Sequence, residues 1–215
     1  MNPQEFHLPA AFNVGAVFFF ALTGALAARR LGYDIIGVFV LAFATGLGGG
    51  LIRDSLLGGN GPVLALTDPQ FMMAVLGATL CGLLRFSTRI ENFNRLVAVI
   101  DAIGLGAFAV VGTDMALRLG LHWLAAVFVG GVNAVGGGLL RDLLIRTEPL
   151  LLKPGQFYAF AALTGACAYA ALTLHWKLPS VHAALYATLA TVVFRVLAII
   201  FNWKTRAVET PLESP

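Results

Sequence analysis

Two Arg-Asp pairs lie within apolar runs long enough to cross a membrane, and each pair follows three consecutive glycines. The string GGGxxRD occurs twice, as Gly48, Gly49, Gly50, Arg53, Asp54 and as Gly136, Gly137, Gly138, Arg141, Asp142. An ionised side chain near the centre of a bilayer costs roughly 2.5 kcal/mol or more. Four such residues in duplicated positions indicate pairing and access to water. We interpret the two pairs as marking the two mouths of one axis across the membrane, and the alternative is that they are interfacial residues that snorkel to the headgroups.

The glycine triplets weaken the helices that contain them, because each glycine costs about 1 kcal/mol relative to alanine. Three in succession permit a kink or local unwinding that exposes backbone carbonyls. Such carbonyls are tolerated at membrane depth only where protein or a water-filled cavity covers them. Close helix packing through small residues is the alternative. We favour a pore-lining break at both triplets. Thr45 and Asn133, three residues before each triplet, are expected to line the path or to form interhelical hydrogen bonds.

The composition indicates that lipid surrounds most of the chain. Of the 215 residues, 59% are hydrophobic and 12% are charged, and the mean hydropathy is +0.85. A soluble domain has about 45–50% apolar and about 25% charged residues. The pI of about 9.1 does not indicate nucleic-acid binding, because the basic residues lie between apolar runs rather than along one stripe. We therefore predict a membrane protein with no nucleic-acid partner.

Seven apolar runs approach the ~20 residues that a membrane helix needs. They cover 12–29, 35–57, 69–85, 96–117, 122–145, 156–174 and 182–201. The expected fold is an all-α membrane protein of seven transmembrane helices. Residues 1–11 are predicted to be extracytoplasmic, 86–95 to form a cytoplasmic linker and 203–215 to form a disordered cytoplasmic tail.

The distribution of basic residues predicts the orientation, because cytoplasmic loops carry an excess of Lys and Arg. One side of the membrane receives Arg29, Arg30, Arg85, Arg89, Arg95, Arg146, Lys153, Lys204 and Arg206, and the other receives Arg118 and Lys177. This bias places the N-terminus outside and the C-terminus in the cytoplasm of a bacterial inner membrane.

The chain contains an internal repeat with an offset of 88 residues. Residues 15–58 and 103–146 share fourteen identities in forty-four, including Phe20 with Phe108 and both signatures. Each repeat, 12–85 and 96–174, holds three spans, and three is odd. The second repeat is therefore inverted in the membrane, an arrangement that builds central transport sites. The seventh helix, 182–201, lies outside the repeat.

Three further ionisable residues fall in or near the spans. Asp101 is expected at the cytoplasmic interface, and Asp114 is expected to face outward near the other end of its span. For Arg195, snorkelling to the headgroups and reaching an internal cavity are equally compatible with its position.

The duplicated GGGxxRD motif, in a seven-span frame of inverted repeats, resembles the bacterial trimeric intracellular cation (TRIC) channels, a group also catalogued as putative glycine transporters. The resemblance implies a homotrimer with one pore per protomer, lined by the second and fifth helices and permeable to potassium and other monovalent cations. It assigns the six glycines as pore kinks, and it assigns Arg53, Asp54, Arg141 and Asp142 as polar pore or gating groups. Animal members contact an inositol lipid through a Lys-Glu-Val motif that is absent here. Membrane lipid is the remaining expected partner.

Two functions stay open on the residues alone. Arginines beside a cation path repel cations unless Asp54 and Asp142 neutralise them, whereas an Arg/Asp constellation also suits a carrier for glycine or another small zwitterion. A retinal protein is excluded, because Lys153, Lys177 and Lys204 all lie at or beyond span ends. No metal spacing or nucleophile–base pair is present, so we expect neither an enzyme nor a cofactor.

Overall fold

The computed structural model describes residues 8–58, 68–84, 90–153, 157–201 and 203, with the backbone alone for 90–92. This part of the chain forms seven α-helices and no strand. They are α1 (Ala10–Arg30), α2 (Ile35–Leu56), α3 (Pro69–Leu83), α4 (Ile90–Arg118), α5 (Trp123–Leu144), α6 (Tyr158–Leu174) and α7 (Ser180–Ile200). The predicted tail beyond Trp203, the N-terminal residues 1–7, and Arg85, Arg89, Lys204 and Arg206 of the charge count lie outside the described residues.

The helices confirm the predicted all-α fold of seven spans. Five of them, α1, α2, α4, α5 and α7, are long and apolar enough to cross a membrane. The third helix of each repeat is shorter, with 15 residues in α3 and 17 in α6.

One predicted boundary is wrong, because α4 begins at Ile90 inside the stretch expected to be a linker. Polar residues near its start end the apolar run without preventing helix formation. One of these polar residues, Asn94, has a partner in another helix. Its side chain accepts a hydrogen bond of 2.7 Å from Arg30 at the end of α1. This contact ties the polar first turns of α4 to the first helix.

The two repeats end their first helices in the same way. Gly32 and Gly120 have φ values of +75° and +78°, a left-handed conformation that favours glycine. The backbone amide of the next residue, Tyr33 in the first repeat and Leu121 in the second, donates a 3.1 Å hydrogen bond to a carbonyl of the preceding helix. The two acceptor carbonyls also lie at equivalent positions of the repeat. The offset of 88 residues found in the sequence is therefore an equivalence of backbone geometry.

The packing follows the same symmetry. In each repeat the three helices contact one another, as α1, α2 and α3 in the first and α4, α5 and α6 in the second. The repeats meet mainly through two pairs, α1 with α4 and α2 with α5, while α7 packs on α4 and α6. The centre of the protein is therefore built from equivalent helices of the two halves.

Candidate functional site

The glycine triplets lie where α2 crosses α5, and all six glycines are buried. A Cβ atom added at Gly49 would overlap the carbonyl oxygen of Asn133, and one added at Gly137 would overlap the carbonyl oxygen of Thr45. A Cβ at Gly136 would lie 3.2 Å from the Cα of Gly49. The two helices are thus in backbone-to-backbone contact, which requires residues without side chains.

This geometry corrects the expected break. Both α2 and α5 stay helical through their triplets, so the backbone is not unwound there. The low helix propensity of glycine predicted a break, whereas at this crossing the glycines serve close packing of two continuous helices. The role of the six glycines as pore kinks stays a prediction.

The contacts at the crossing show that α2 and α5 run in opposite directions. Leu140 packs over Gly48, and Ile52 packs over Gly136 with its Cδ1 3.0 Å from the built Cβ position. Moving forward by four residues on α2 therefore corresponds to moving back by four on α5. The segments that follow the crossing diverge, which separates the two Arg-Asp pairs along the membrane normal by a distance on the order of 10 Å.

The first pair lies in what we call the Arg53 chamber. The Arg53 guanidinium bonds Asp54 through Nε at 2.8 Å and through Nη2 at 2.6 Å, and the Arg53 side chain is 2% exposed. Beside it lies a cavity of about 10 Å³, also lined by Asn13, Gly50 and Phe108. Within the described residues, Nη1 of Arg53 has no hydrogen-bond partner. A cavity of this size accommodates about one water molecule.

The second pair lies in what we call the Arg141 chamber, where the guanidinium has more partners. Its Nε donates to Asp142 at 2.9 Å, and its Nη1 donates to Asp101 at 2.8 Å and to the Thr23 hydroxyl at 3.1 Å. Asp142 also accepts a 3.0 Å bond from the backbone amide of Leu150. Each arginine thus pairs with the aspartate that follows it, although neighbouring side chains on a helix point about 100° apart.

Asp101 corrects a second expectation. It was predicted at the cytoplasmic interface, but its side chain is buried and forms an ion pair with Arg141. Its equivalent in the first repeat, 88 residues earlier, is Asn13, which lines the cavity beside Arg53. The two chambers are therefore built from equivalent positions of the repeats, and the Arg141 chamber has one carboxylate more.

The Arg141 chamber opens into a cavity of about 630 Å³ bounded by α1, α4, α5 and α7. Its charged lining comprises Arg30, Asp101, Arg141 and Arg195. The guanidinium carbon of Arg195 lies 5.2 Å from the centre of the Tyr158 ring, a cation–π contact. The Arg195 side chain therefore reaches the internal cavity and does not snorkel to the headgroups.

The polar residues before the triplets form hydrogen bonds of different kinds. The Thr45 hydroxyl donates to the carbonyl of Leu41 in its own helix at 2.6 Å. Asn133 Nδ2 donates to the carbonyl of Phe108 in α4 at 2.7 Å, which is an interhelical bond. In the part of the chain that the structure describes, Oδ1 of Asn133 has no hydrogen-bond partner. Their place in the path stays a prediction.

A third buried charge cluster was not identified from the sequence. Asp114 accepts a 2.6 Å hydrogen bond from the Tyr169 hydroxyl and forms an ion pair with Arg118. Its side chain is buried rather than facing outward as expected. The spacing of Asp114 and Arg118 by four residues was the available signal, since such residues are neighbours on a helix.

Comparison with known families places the fold. A family model described as "Glycine transporter" matches the chain twice, over residues 10–85 and 98–174, one match for each repeat. The UPF0126 membrane protein YvgT of Bacillus subtilis is 38% identical over 196 residues, covering 89% of this chain and 92% of the relative. The UPF0126 inner membrane protein YadS of Escherichia coli K12 is 33% identical over 187 residues, covering 86% and 88%.

Solved structures agree with these matches. The TRIC trimeric intracellular cation channel orthologue from Rhodobacter sphaeroides superposes with a TM-score of 0.79 at 33% identity, covering 89% of this chain and 97% of that one. A structure described under conductance through TRIC cation channels gives a TM-score of 0.77 at 34% identity, covering 95% and 98%. These neighbours are ion channels and not enzymes, in agreement with the expectation from the sequence.

Proposed function

Because the chain belongs to the family whose model is described as "Glycine transporter" and belongs with solved TRIC channels to which it is 33% and 34% identical, we propose that it is a monovalent cation channel with one permeation path in each protomer. The path runs beside the crossing of α2 and α5 and joins the Arg53 chamber to the Arg141 chamber. Potassium is the expected main permeant ion, as the family resemblance implies.

The observation that carries this proposal is the pair of buried ionised groups on either side of a helix crossing. Arg53 and Arg141 are each at least nine-tenths buried in helices that cross a membrane. Charges at such positions are rare in membrane proteins and mark ion or substrate pathways. The small cavity beside Arg53 and the large one beside Arg141 provide space for water next to both.

The arginines are compatible with cation passage because carboxylates compensate their charge. Asp54 lies 2.6 Å from Arg53, and Asp101 and Asp142 lie 2.8 and 2.9 Å from Arg141. A compensated arginine fixes the positions of carboxylate oxygens without adding net positive charge. Carboxylate rings favour cations in channel pores.

The assembly and the orientation are also proposals. The solved neighbours are described as trimeric cation channels, which supports a homotrimer. The excess of basic residues on one side supports an N-terminus outside and a cytoplasmic C-terminus in a bacterial inner membrane. Light scattering of the purified protein and accessibility of terminal tags in oriented vesicles test these points.

Bilayer recording of potassium currents tests the function, with wild type beside Asp54→Asn and Asp142→Asn. Each variant leaves its arginine less compensated, so we expect lower cation conductance and weaker selectivity for potassium over chloride. Asp34→Asn is the matched control, because Asp34 caps the exposed start of α2 through a 2.8 Å bond to Gly37 and asparagine caps equally well. Unchanged conductance and selectivity in both test variants would show that the pairs are structural.

A carrier for a small zwitterion is the second candidate, and one observation favours it. The 630 Å³ cavity contains Arg141 and Arg195 together with Asp101, and these charges suit a carboxylate and an ammonium on one molecule. Uptake of glycine into liposomes separates the candidates. Saturable, glycine-dependent uptake with no potassium conductance would overturn the channel proposal.

A further inference from the structure

Two phenylalanines at equivalent positions of the repeats meet at the centre of the protein. The rings of Phe20 on α1 and Phe108 on α4 stack with centroids 5.0 Å apart and an interplanar angle of 25°. Phe20 is 0% exposed and Phe108 is 1% exposed. Since each residue is the repeat equivalent of the other, their contact lies on the pseudo-two-fold axis that relates the halves.

The stack adjoins the Arg53 chamber through Phe108. This residue lines the 10 Å³ cavity together with Arg53 and Asn13. Its backbone carbonyl accepts the 2.7 Å hydrogen bond from Asn133, next to the helix crossing. One face of the aromatic pair is therefore in contact with the wall of this chamber.

The backbone of Phe20 is linked to the Arg141 chamber by hydrogen bonds. The Phe20 carbonyl accepts a 2.8 Å hydrogen bond from the Thr23 hydroxyl, and that hydroxyl in turn accepts the bond from Arg141. The Phe20 ring also lies 3.4 Å from the built Cβ position of Gly137 and 2.7 Å from that of Gly104. Glycines of α4 and α5 thus provide the space that the ring fills.

We propose that the Phe20–Phe108 stack is the hydrophobic gate between the two chambers, an inference that rests on the proposed channel function. Backbone contact between α2 and α5 leaves no passage through the crossing itself. An ion that moves from one chamber to the other must pass beside it, where the rings lie. A dry aromatic constriction excludes hydrated ions, and apolar constrictions of this kind gate channels by dewetting.

Opening then requires displacement of an aromatic side chain rather than separation of α2 from α5. Rotation of either ring away from the axis would join the cavity beside Arg53 to the cavity beside Arg141. The charged groups on both sides then stabilise an ion that enters, and the aromatic pair controls its passage.

Bilayer recordings of Phe20→Ala, Phe108→Ala and the milder Phe20→Leu test the gate. Phe160→Ala, at a position that is 57% exposed on α6, is the matched control. We expect a severalfold rise in open probability for the three gate variants and none for the control. If the wild type conducts and the gate variants elute as folded protein with unchanged open probability, the proposed gate is overturned and the channel function is left intact.

A chemical experiment tests the same constriction without relying on current. Ala98 lines the 630 Å³ cavity, and Ala98→Cys is introduced after Cys81 and Cys167 are replaced by alanine. A cationic, membrane-impermeant thiol reagent is then added on the side of the Arg53 chamber. We expect labelling only when Phe20→Leu or Phe108→Ala is also present. Equal labelling with and without these changes, or labelling in none of the variants, would overturn the proposed gate even if the protein carries no potassium current.

Discussion

The backbone contact between the two repeats makes Gly49→Ala an informative single substitution. Its Cβ would overlap the carbonyl oxygen of Asn133, which belongs to the helix backbone and cannot rotate away as a side chain can. Gly137→Ala creates the equivalent overlap with the carbonyl of Thr45. We expect both variants to destabilise the protein, although alanine is the better helix former.

The magnitude follows from two opposing effects. Overpacking a well-packed site costs about 1–3 kcal/mol, and a rigid backbone partner places this contact at the upper end. Replacing a helical glycine by alanine contributes about 1 kcal/mol in the opposite direction. The net expected loss is about 2 kcal/mol, or roughly 30-fold in the folding equilibrium. The double variant is expected to lose less than the sum, because both overlaps are relieved by the same separation of α2 from α5.

Reversible unfolding in mixed micelles, followed by the fluorescence of the three tryptophans, measures these differences. Gly15→Ala is the matched control, since a Cβ at Gly15 in α1 meets no atom within 4 Å. It should leave stability unchanged or raise it by up to about 1 kcal/mol. If Gly49→Ala is as stable as Gly15→Ala, the backbone contact between α2 and α5 is refuted.

Further substitutions test three other parts of the structure. Asp101→Asn removes one partner of a buried ion pair and should lower the free energy of unfolding in detergent by about 3 kcal/mol. The double variant with Arg141→Gln should lose less than the sum of the two single variants. Strict additivity would contradict the pairing. Tyr169→Phe removes a hydrogen bond to a carboxylate and should lower the free energy of unfolding by about 1.5–3 kcal/mol in the same assay, with potassium conductance unchanged. Tyr186→Phe, at an exposed position, is its control. Equal stability of the two variants would contradict the contact with Asp114. Asn13→Asp adds a carboxylate beside Arg53 and should raise cation over anion selectivity measured by reversal potential, whereas Asn13→Ala should not; a shift toward anions would contradict the assignment of Asn13 to this chamber.

Much of the fold could be predicted because lipid imposes strong constraints on a sequence. Apolar runs and the 88-residue offset located all seven helices, and most ends differ by three residues or fewer. The exception, the start of α4 at Ile90, shows the limit of hydropathy. A polar helical turn that leaves the hydrocarbon looks like a linker when only its composition is considered.

The candidate site was predicted less completely. The sequence identified Arg141 and Asp142 through their motif, but Asp101 lies forty residues earlier in another helix, and no local pattern links it to them. The same holds for Phe20 and Phe108, which were visible as repeat identities and not as a contact. Which residues meet across helices depends on crossing geometry, and that geometry was misjudged at the glycines.

The reciprocal glycine contacts also have a thermodynamic consequence. Because α2 and α5 touch at one point and diverge from it on both sides, a change in their crossing angle alters the width of both chambers together. A ligand that binds in the Arg141 chamber and favours one angle must then change affinity for an ion at Arg53, and the ion must change affinity for the ligand by the same factor. Two sites on opposite sides of one helix crossing would thus be energetically coupled through the contact between α2 and α5.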